Sequence, residues 1–287
     1  NVFAGNDKSK KGFYLRGLLE DDAKMLYPAE LQSIKASTEK YQELLNTLVS
    51  NFRQKSVDNM EPNELLQILE AIGSYIPSST AKGEVADISL YDHMKLTAAL
   101  AICLYDYLHS KGIYDYKSYC YGTKQKELRK ENTYLLVSGD ISGIQDFIYT
   151  IPSKGALKSL RGRSFYLELL MENVIDELLE RLDLNRCNLI YNGGGNFYLL
   201  LPNTSQVLTE LENVQNIINQ WFLEKFGTRL YIAIGWAPCA ANDFMVNSGN
   251  ALGSIYSKAR SLIAVQKHRR YNAYQLGQLF QPHSQIN

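Results

Sequence analysis

The fold is decided by the stretch Ser138-Gly139-Asp140-Ile141-Ser142-Gly143-Ile144-Gln145-Asp146-Phe147. The apolar residues 134–137 that precede it have the composition of a buried strand. A carboxylate, a Ser-Gly turn and the start of a helix then follow. The sequence therefore predicts a strand that ends at Gly139, with Asp140 directly after it.

A second informative stretch is Tyr191-Asn192-Gly193-Gly194-Gly195-Asn196-Phe197-Tyr198, which lies between two apolar segments that predict strands. Together the two stretches resemble the palms of nucleotide cyclases and polymerases. In such palms the acids of a Gly-Gly-acid-acid hairpin bind catalytic metal ions. Gly195 and Asn196 stand where those acids would be, so the hairpin of this chain is degenerate.

The segment from residue 133 onward follows the order strand, helix, strand, strand, helix, strand. The predicted strands cover residues 134–139, 187–191, 197–201 and 229–236, and the predicted helices cover residues 159–182, 205–226 and 251–267. This order is the ferredoxin-like split arrangement βαββαβ, with an extra C-terminal helix. The fold class is therefore α/β, of the α+β type, and the palm is assigned to residues 131–287.

Residues 1–130 predict a separate helical region. Their patterns indicate a loop over residues 1–26 and helices over residues 28–53, 61–72 and 90–110, the last capped by Ser89. The chain begins at Asn1 and ends in a polar segment. We therefore expect it to be an internal piece of a longer protein.

Composition excludes several classes of function. The chain has 30 basic and 30 acidic residues, so no overall field attracts nucleic acid or a membrane, and such contacts need a local patch. No apolar run approaches the roughly 18 residues of a membrane span. The four cysteines, at positions 103, 120, 187 and 239, lack the spacing of a zinc site. These features predict a soluble, cytoplasmic protein that does not bind membranes.

Asp140 is the candidate metal ligand, because a two-metal palm carries an acid at the end of its first strand. The alternative is that Asp140 only caps the turn that follows.

The glycines Gly193, Gly194 and Gly195 would let a nucleotide approach the backbone closely. The alternative interpretation of these glycines is a tight hairpin turn that does not contact a ligand.

Ser142, Gly143 and Gln145 offer a hydroxyl, a backbone amide and a carboxamide to a base or phosphate. Asn196 completes this predicted nucleotide-binding set, for which local capping is the alternative.

Basic side chains follow the Ser-Gly turn. Phosphate or RNA contact is predicted for Lys154, Lys158, Arg161 and Arg163, with a solvated helix face as the alternative. The pair Asp92-His93 suggests a metal site, but one histidine without a second nearby is more often structural.

Four ordered motifs point to one family: residues 87–93, Gly139 to Tyr149, Leu160 to Leu167, and Gly193 to Gly195. In combination the chain resembles the Cas-ten large subunit of type III-A (Csm-type) CRISPR effector complexes, from Asn1 to about Leu279. That family contains an N-terminal HD nuclease domain, a first palm, a zinc-bearing helical domain, a second palm with a Gly-Gly-Asp-Asp hairpin, and a C-terminal helical domain. The match covers the end of the HD-to-palm region and the first palm.

The resemblance implies that the parent protein converts ATP to cyclic oligoadenylates with Mg²⁺ or Mn²⁺ when target RNA is bound, and cleaves single-stranded DNA through its HD domain. The second palm would supply the metal-binding acids, and this palm would hold the other ATP near Ser142 and the Gly193 to Gly195 turn. The implied partners are other Csm-type subunits, crRNA and target RNA.

Two alternatives remain open. The first is a scaffold palm that organises the complex without touching a nucleotide. The second is an RNA-recognition domain, which needs exposed aromatic residues on both central strands. Phe197 and Tyr198 supply aromatic residues on one strand, but the first strand has no matching pair.

Overall fold

The structure is a computed structural model that describes residues 11–12, 15–17, 29–30, 37–55, 57–79, 88–150, 156–245 and 249–280. The chain divides into two compact units. The first unit comprises Asn1–Ala99 with Asn185–Cys187, and the second comprises Leu100–Leu184 with Asn188–Asn287. In the described part of the chain, no helix is both long enough and apolar enough to cross a membrane.

The first unit has a small ladder and a helical core. Its elements are β1 (Lys11–Gly12), β2 (Ala29–Glu30), α1 (Thr38–Gln54), α2 (Pro62–Gly73) and the first part of α3 (Leu90–Ser110). Strands β1 and β2 pair antiparallel. The buried side chains Leu15, Leu44 and Ile72 form its core.

Two of the predicted N-terminal helices are confirmed, at residues 61–72 and 90–110. The helix predicted over residues 28–53 begins later, at Thr38, because Ala29–Glu30 forms β2 and the side chain of Ser37 caps the helix by accepting from the Lys40 amide. The predicted loop over residues 1–26 is likewise wrong where Lys11–Gly12 forms β1.

The predicted cap of α3 is also present, since Ser89 Oγ accepts a hydrogen bond from the Asp92 amide at 2.9 Å. The Ser89 hydroxyl donates to the Asp92 carboxylate at 2.7 Å. Asp92 therefore belongs to the start of a helix, and among the described residues it joins no cluster of three metal-ligating side chains.

The second unit confirms the predicted fold class. Its strands are β3 (Tyr134–Ser142), β4 (Leu189–Gly193), β5 (Asn196–Pro202) and β6 (Tyr231–Cys239). They form an antiparallel sheet in the order β4-β5-β3-β6, which is the ferredoxin-like order. Its helices, after the end of α3, are α4 (Tyr116–Cys120), α5 (Gln125–Leu128), α6 (Ile144–Tyr149), α7 (Ala156–Arg181), α8 (Ser205–Phe226), α9 (Ala251–His268) and α10 (Ala273–Leu279).

The two faces of the sheet have different roles. Leu135, Val137 and Ile141 alternate along β3 and share one buried core with apolar residues of α7 and α8. Because successive strand residues point to opposite faces, Ser138 and Asp140 lie on the other face. That face carries the candidate site.

Helix α9 packs on this second face, against β6 and β3. Its backbone comes very close to β6 at Gly235, where a Cβ atom would lie 2.2 Å from the carbonyl oxygen of Ala259. The side chains of Ile255, Ala259 and Ile263 are buried on the inner side of the helix. Because Gly235 has no side chain, α9 can lie directly on the sheet at this position.

Strand β3 is longer than predicted. It continues through Asp140 and Ser142, because Asp140 pairs with Asn196 of β5 and Ser142 pairs with Tyr231 of β6. The prediction that Asp140 follows the strand is therefore wrong, as is the placement of Ser142 in the turn. Helix α10 was not predicted.

Strand β6 lies at the end of the sheet, and side-chain amides bind its outer backbone edge. Asn219 donates to the carbonyl of Ile232 at 2.8 Å and accepts from its amide at 2.8 Å. Gln266 of α9 binds the carbonyl of Ile234 at 2.8 Å and its amide at 2.9 Å. These side-chain amides form hydrogen bonds with backbone groups that could otherwise pair with another strand.

Replacing Asn219 by Ala is expected to lower the free energy of unfolding by about 2 to 3 kcal/mol, because two buried backbone groups lose their partners. Urea denaturation followed by tryptophan fluorescence measures this loss. Asn213→Ala is the control, because among the described residues the amide of Asn213 bonds only to Glu210, on the exposed surface of α8. Equal stability of the two variants would contradict the role given to Asn219.

Candidate functional site

A cleft of about 800 Å³ opens on the α9 face of the sheet. Strand residues form its floor and one side, and α9 forms the other side. The lining residues are Ser138, Asp140, Tyr191, Gly193, Asn196, Tyr198, Tyr256, Arg260, Ile263, Ala264 and Lys267. The volume lies within the range of small-molecule sites.

The glycine hairpin makes a two-residue turn. Gly194 and Gly195 have φ values of 62° and 84°, and Gly193 pairs with Asn196 across the turn. Positive φ at both central residues is what a type I′ hairpin requires. The turn alone thus explains Gly194 and Gly195, while Gly193 and Asn196 also line the cleft. Nucleotide contact by these four residues stays a prediction.

Asp140 faces the cleft and forms an ion pair with Lys267 of α9. The described part of the chain contains no group of three His, Cys, Asp or Glu side chains arranged to hold a metal ion. A two-metal site needs several carboxylate ligands, and here one carboxylate already has an ammonium partner. The residues of this chain therefore do not fit such a site by themselves.

Ser142 ends β3 on the same face as Asp140. Its Oγ is buried and, among the described residues, has no hydrogen-bond partner. An unpaired buried hydroxyl is costly, but Ser142 is not among the residues that line the cleft. The nucleotide contact predicted for Ser142 stays a prediction.

Gly143 connects β3 to α6. Its φ is 88°, and a Cβ atom there would lie 1.8 Å from the carbonyl oxygen of Arg229. The backbone therefore requires glycine at this position, whether or not a nucleotide is bound. Gln145 follows on α6 with an exposed side chain, and its predicted nucleotide contact is also untested.

The four predicted basic contacts differ in their surroundings. Lys154 lies outside the described residues, and Lys158 and Arg161 are exposed on α7. Arg163 instead donates to the carbonyls of Phe147 at 2.6 Å and Thr150 at 2.8 Å, which satisfies the end of α6. Arg163 thus holds α6 on α7, and phosphate or RNA contact stays a prediction for all four.

Sequence reasoning missed the residues that α9 contributes to the cleft, Tyr256, Arg260 and Lys267, and considered Tyr198 only for an RNA-recognition domain. The ring of Tyr198 lies 5.1 Å from that of Tyr256 and 6.2 Å from that of Tyr191, and Arg260 Nε donates to the Tyr198 hydroxyl at 3.0 Å. Burial raises the pKa of the Tyr256 hydroxyl above its ordinary value. Tyr256, Arg260 and Lys267 are spaced so that they lie on one face of α9. This spacing is the feature of the sequence that could have identified them.

The comparison with known families settles where this fold belongs. A sequence model of the family described as Csm1 subunit domain B matches residues 133–285. The chain belongs to the Csm1 family. The matched region contains the whole sheet and every residue of the cleft. The second compact unit begins earlier, at Leu100, so the domain boundary after residue 130 stays a prediction.

One relative is the CRISPR system single-strand-specific deoxyribonuclease Cas10/Csm1 (subtype III-A) of Mycobacterium tuberculosis, which is 43% identical over 269 residues. The match covers 90% of this chain and 33% of that protein. The chain thus spans about a third of the length of this Csm1 relative.

Solved Csm1 structures share the fold. A Csm1-Csm4 cassette in complex with pppApApA matches with a TM-score of 0.76 and 31% identity, over 95% of this chain and 35% of that one. A Csm1-Csm4 cassette in complex with cA4 matches with a TM-score of 0.69 and 33% identity, over 82% of this chain and 30% of that one.

Proposed function

We propose that the chain supplies the first palm of a type III-A CRISPR large subunit that converts ATP to cyclic oligoadenylate when target RNA is bound. The observation that carries this proposal is the cleft beside the degenerate hairpin, inside the region that matches Csm1 domain B. The adenylate ligands in the names of the two solved Csm1-Csm4 cassettes support it.

In this proposal the palm binds and orients a nucleotide, while the chemistry depends on a second palm outside this chain. Mg²⁺ or Mn²⁺ would be held by the acids of that second palm, because this chain lacks the carboxylates for it. Single-stranded DNA would be cleaved by an HD domain, also outside this chain. Csm4 and other Csm-type subunits, crRNA and target RNA are the proposed partners, in the cytoplasm.

Within the chain, three features would position the nucleotide. Ser142 would donate its unpaired hydroxyl, the backbone at Gly193 would allow close approach, and Asn196 would offer its carboxamide from the floor of the cleft. These are uncharged groups that bind and orient a ligand without a proton transfer.

An RNA-recognition domain is disfavoured by the position of α9. Such a domain leaves its sheet face open for stacking of bases. Here α9 packs on β6 and β3 on the face that carries Tyr198.

Ser142→Ala is expected to lower oligoadenylate formation about tenfold, because loss of one hydrogen bond to a bound ligand weakens binding by roughly 1.5 kcal/mol. Gly194→Val should lower it further, since a β-branched residue is strongly disfavoured at positive φ. The measurement is product formed from ATP by the full-length complex with target RNA and Mn²⁺.

Ser261→Ala is the matched control for Ser142→Ala. Ser261 is exposed on α9, and its hydroxyl bonds to the carbonyl of Ser257 at 2.8 Å. If both site variants form as much product as this control, with the complex intact, the palm is a scaffold and the proposed nucleotide contacts are wrong.

A further inference from the structure

The cleft contains its own cations. Arg260 and Lys267 project from α9, and Asp140 is the one carboxylate among the lining residues, so the lining carries one net positive charge. Lys267 is paired with Asp140 and stands in the last turn of α9, where a cation also interacts favourably with the helix dipole. The ammonium of Lys267 thus forms an ion pair with the carboxylate that a metal ion would need as a ligand.

Arg260 remains available to a ligand. It lies near the middle of α9 with an exposed side chain, and its Nε is held by the Tyr198 hydroxyl. In the described ranges no carboxylate forms an ion pair with Arg260, whereas Arg181 on α7 pairs with two. A guanidinium fixed through Nε can still offer its two terminal amino groups to phosphate oxygens.

Three tyrosines line the same cleft as this guanidinium. The rings of Tyr191, Tyr198 and Tyr256 follow one another across the cleft, and Tyr191 is 53% exposed. Aromatic faces of this kind stack on nucleic-acid bases. The cleft therefore combines an aromatic surface with a cation at its side, which suits a nucleotide.

We propose that this cleft binds the phosphate of an adenine nucleotide through Arg260 without a divalent metal ion, and that Lys267 occupies the metal's place on Asp140. The proposal rests on the proposed function for the choice of an adenine nucleotide. It assigns the two palms different means of holding phosphate: a built-in cation in this one and metal ions in the other.

The test is equilibrium dialysis of AMPPNP, a non-hydrolysable ATP analogue, against the full-length large subunit in its complex. With excess EDTA we expect one bound nucleotide per large subunit, and a second to bind when Mn²⁺ is present. Arg260→Gln should weaken the EDTA-resistant binding at least about tenfold, because a charge-assisted bond to phosphate is lost. Arg269→Gln is the control, since Arg269 is an exposed cation after α9 that does not line the cleft.

Charge swaps test the role of Lys267. Lys267→Met should weaken EDTA-resistant binding about tenfold, because Asp140 then repels the phosphate at close range. The double variant Lys267→Met with Asp140→Asn removes both charges and should recover binding to within about threefold of wild type. Asp140→Asn alone should tighten binding.

Three results would overturn the assignment: loss of all bound nucleotide in EDTA, equal binding by the Arg260 and Arg269 variants, or loss of a Mn²⁺-dependent nucleotide in Asp140→Asn. The last result would make Asp140 a metal ligand. These outcomes differ from failure of the proposed function, in which Ser142→Ala and Gly194→Val leave product formation unchanged. If product formation depends on the palm but EDTA removes the nucleotide, only the metal-free assignment is wrong.

Discussion

Gly143→Ala is expected to lower the free energy of unfolding by about 3 kcal/mol or more, from two separate causes. A side chain at a φ of 88° costs about 1 to 2 kcal/mol. The added Cβ would also lie 1.8 Å from the carbonyl oxygen of Arg229, and a backbone shift of this kind costs typically about 1 to 3 kcal/mol.

The measurement is urea denaturation followed by tryptophan fluorescence. The two tryptophans of the chain, Trp221 and Trp236, both belong to the second unit, so the signal reports on the unit that contains Gly143. Gly194→Ala is the matched control, because Gly194 has a φ of 62° and no atom near its missing Cβ. It should lose only about 1 to 2 kcal/mol. Equal losses of stability in Gly143→Ala and Gly194→Ala would show that the carbonyl of Arg229 moves away from the new methyl group without lowering stability.

The outcome bears on how Gly143 is interpreted. The sequence makes Gly143 a candidate for nucleotide contact through its backbone amide, at a turn before a helix. In the structure the group that approaches it is another part of the chain, the carbonyl of Arg229. A sequence pattern cannot distinguish these two reasons for glycine, because the neighbour comes from a residue distant in the chain.

Most of the palm could be predicted from local patterns. Helix α8 begins and ends where its apolar spacing predicts, at Ser205 and Phe226, because Thr204 caps its start and Gly227 follows its end. The order of elements predicted the sheet, since a split βαββαβ unit has few ways to bury its apolar face. These features depend on residues near one another in the chain.

The ends of strands were predicted less well, because distant partners determine them. Strand β3 continues to Ser142 since β6 supplies ladder partners as far as Tyr231. This extension places Asp140 inside the sheet, facing the cleft, instead of in a turn.

The candidate site likewise has one part that local sequence patterns predict and one part that depends on residues distant in the chain. Its hairpin side was visible in the sequence as Gly193 and Asn196. Its α9 side was not, because Arg260 and Lys267 reach the cleft only when α9 packs on the sheet. The ion pair between Lys267 and Asp140 joins residues separated by 127 positions, and no local pattern connects them.

The contact that brings α9 to the sheet can be tested at Gly235. In Gly235→Ala the new methyl group would lie 2.2 Å from the carbonyl oxygen of Ala259 and 3.0 Å from Ile263 Cγ1. Because that oxygen belongs to helix backbone, the whole helix must move, and we expect a loss of about 2 to 3 kcal/mol in the free energy of unfolding.

Movement of α9 should also affect the cleft, since Arg260 directly follows Ala259. EDTA-resistant AMPPNP binding by Gly235→Ala is therefore expected to weaken about tenfold, as a small displacement separates the guanidinium from the phosphate. The control is Gly162→Ala in the second turn of α7, where no atom outside the helix's own backbone lies within 4 Å of the missing Cβ. This variant should gain about 0.5 to 1 kcal/mol of stability, because alanine favours helix. If Gly235→Ala is destabilised yet binds AMPPNP like the wild type, α9 positions no phosphate ligand, and Arg260 is a surface residue of the fold alone.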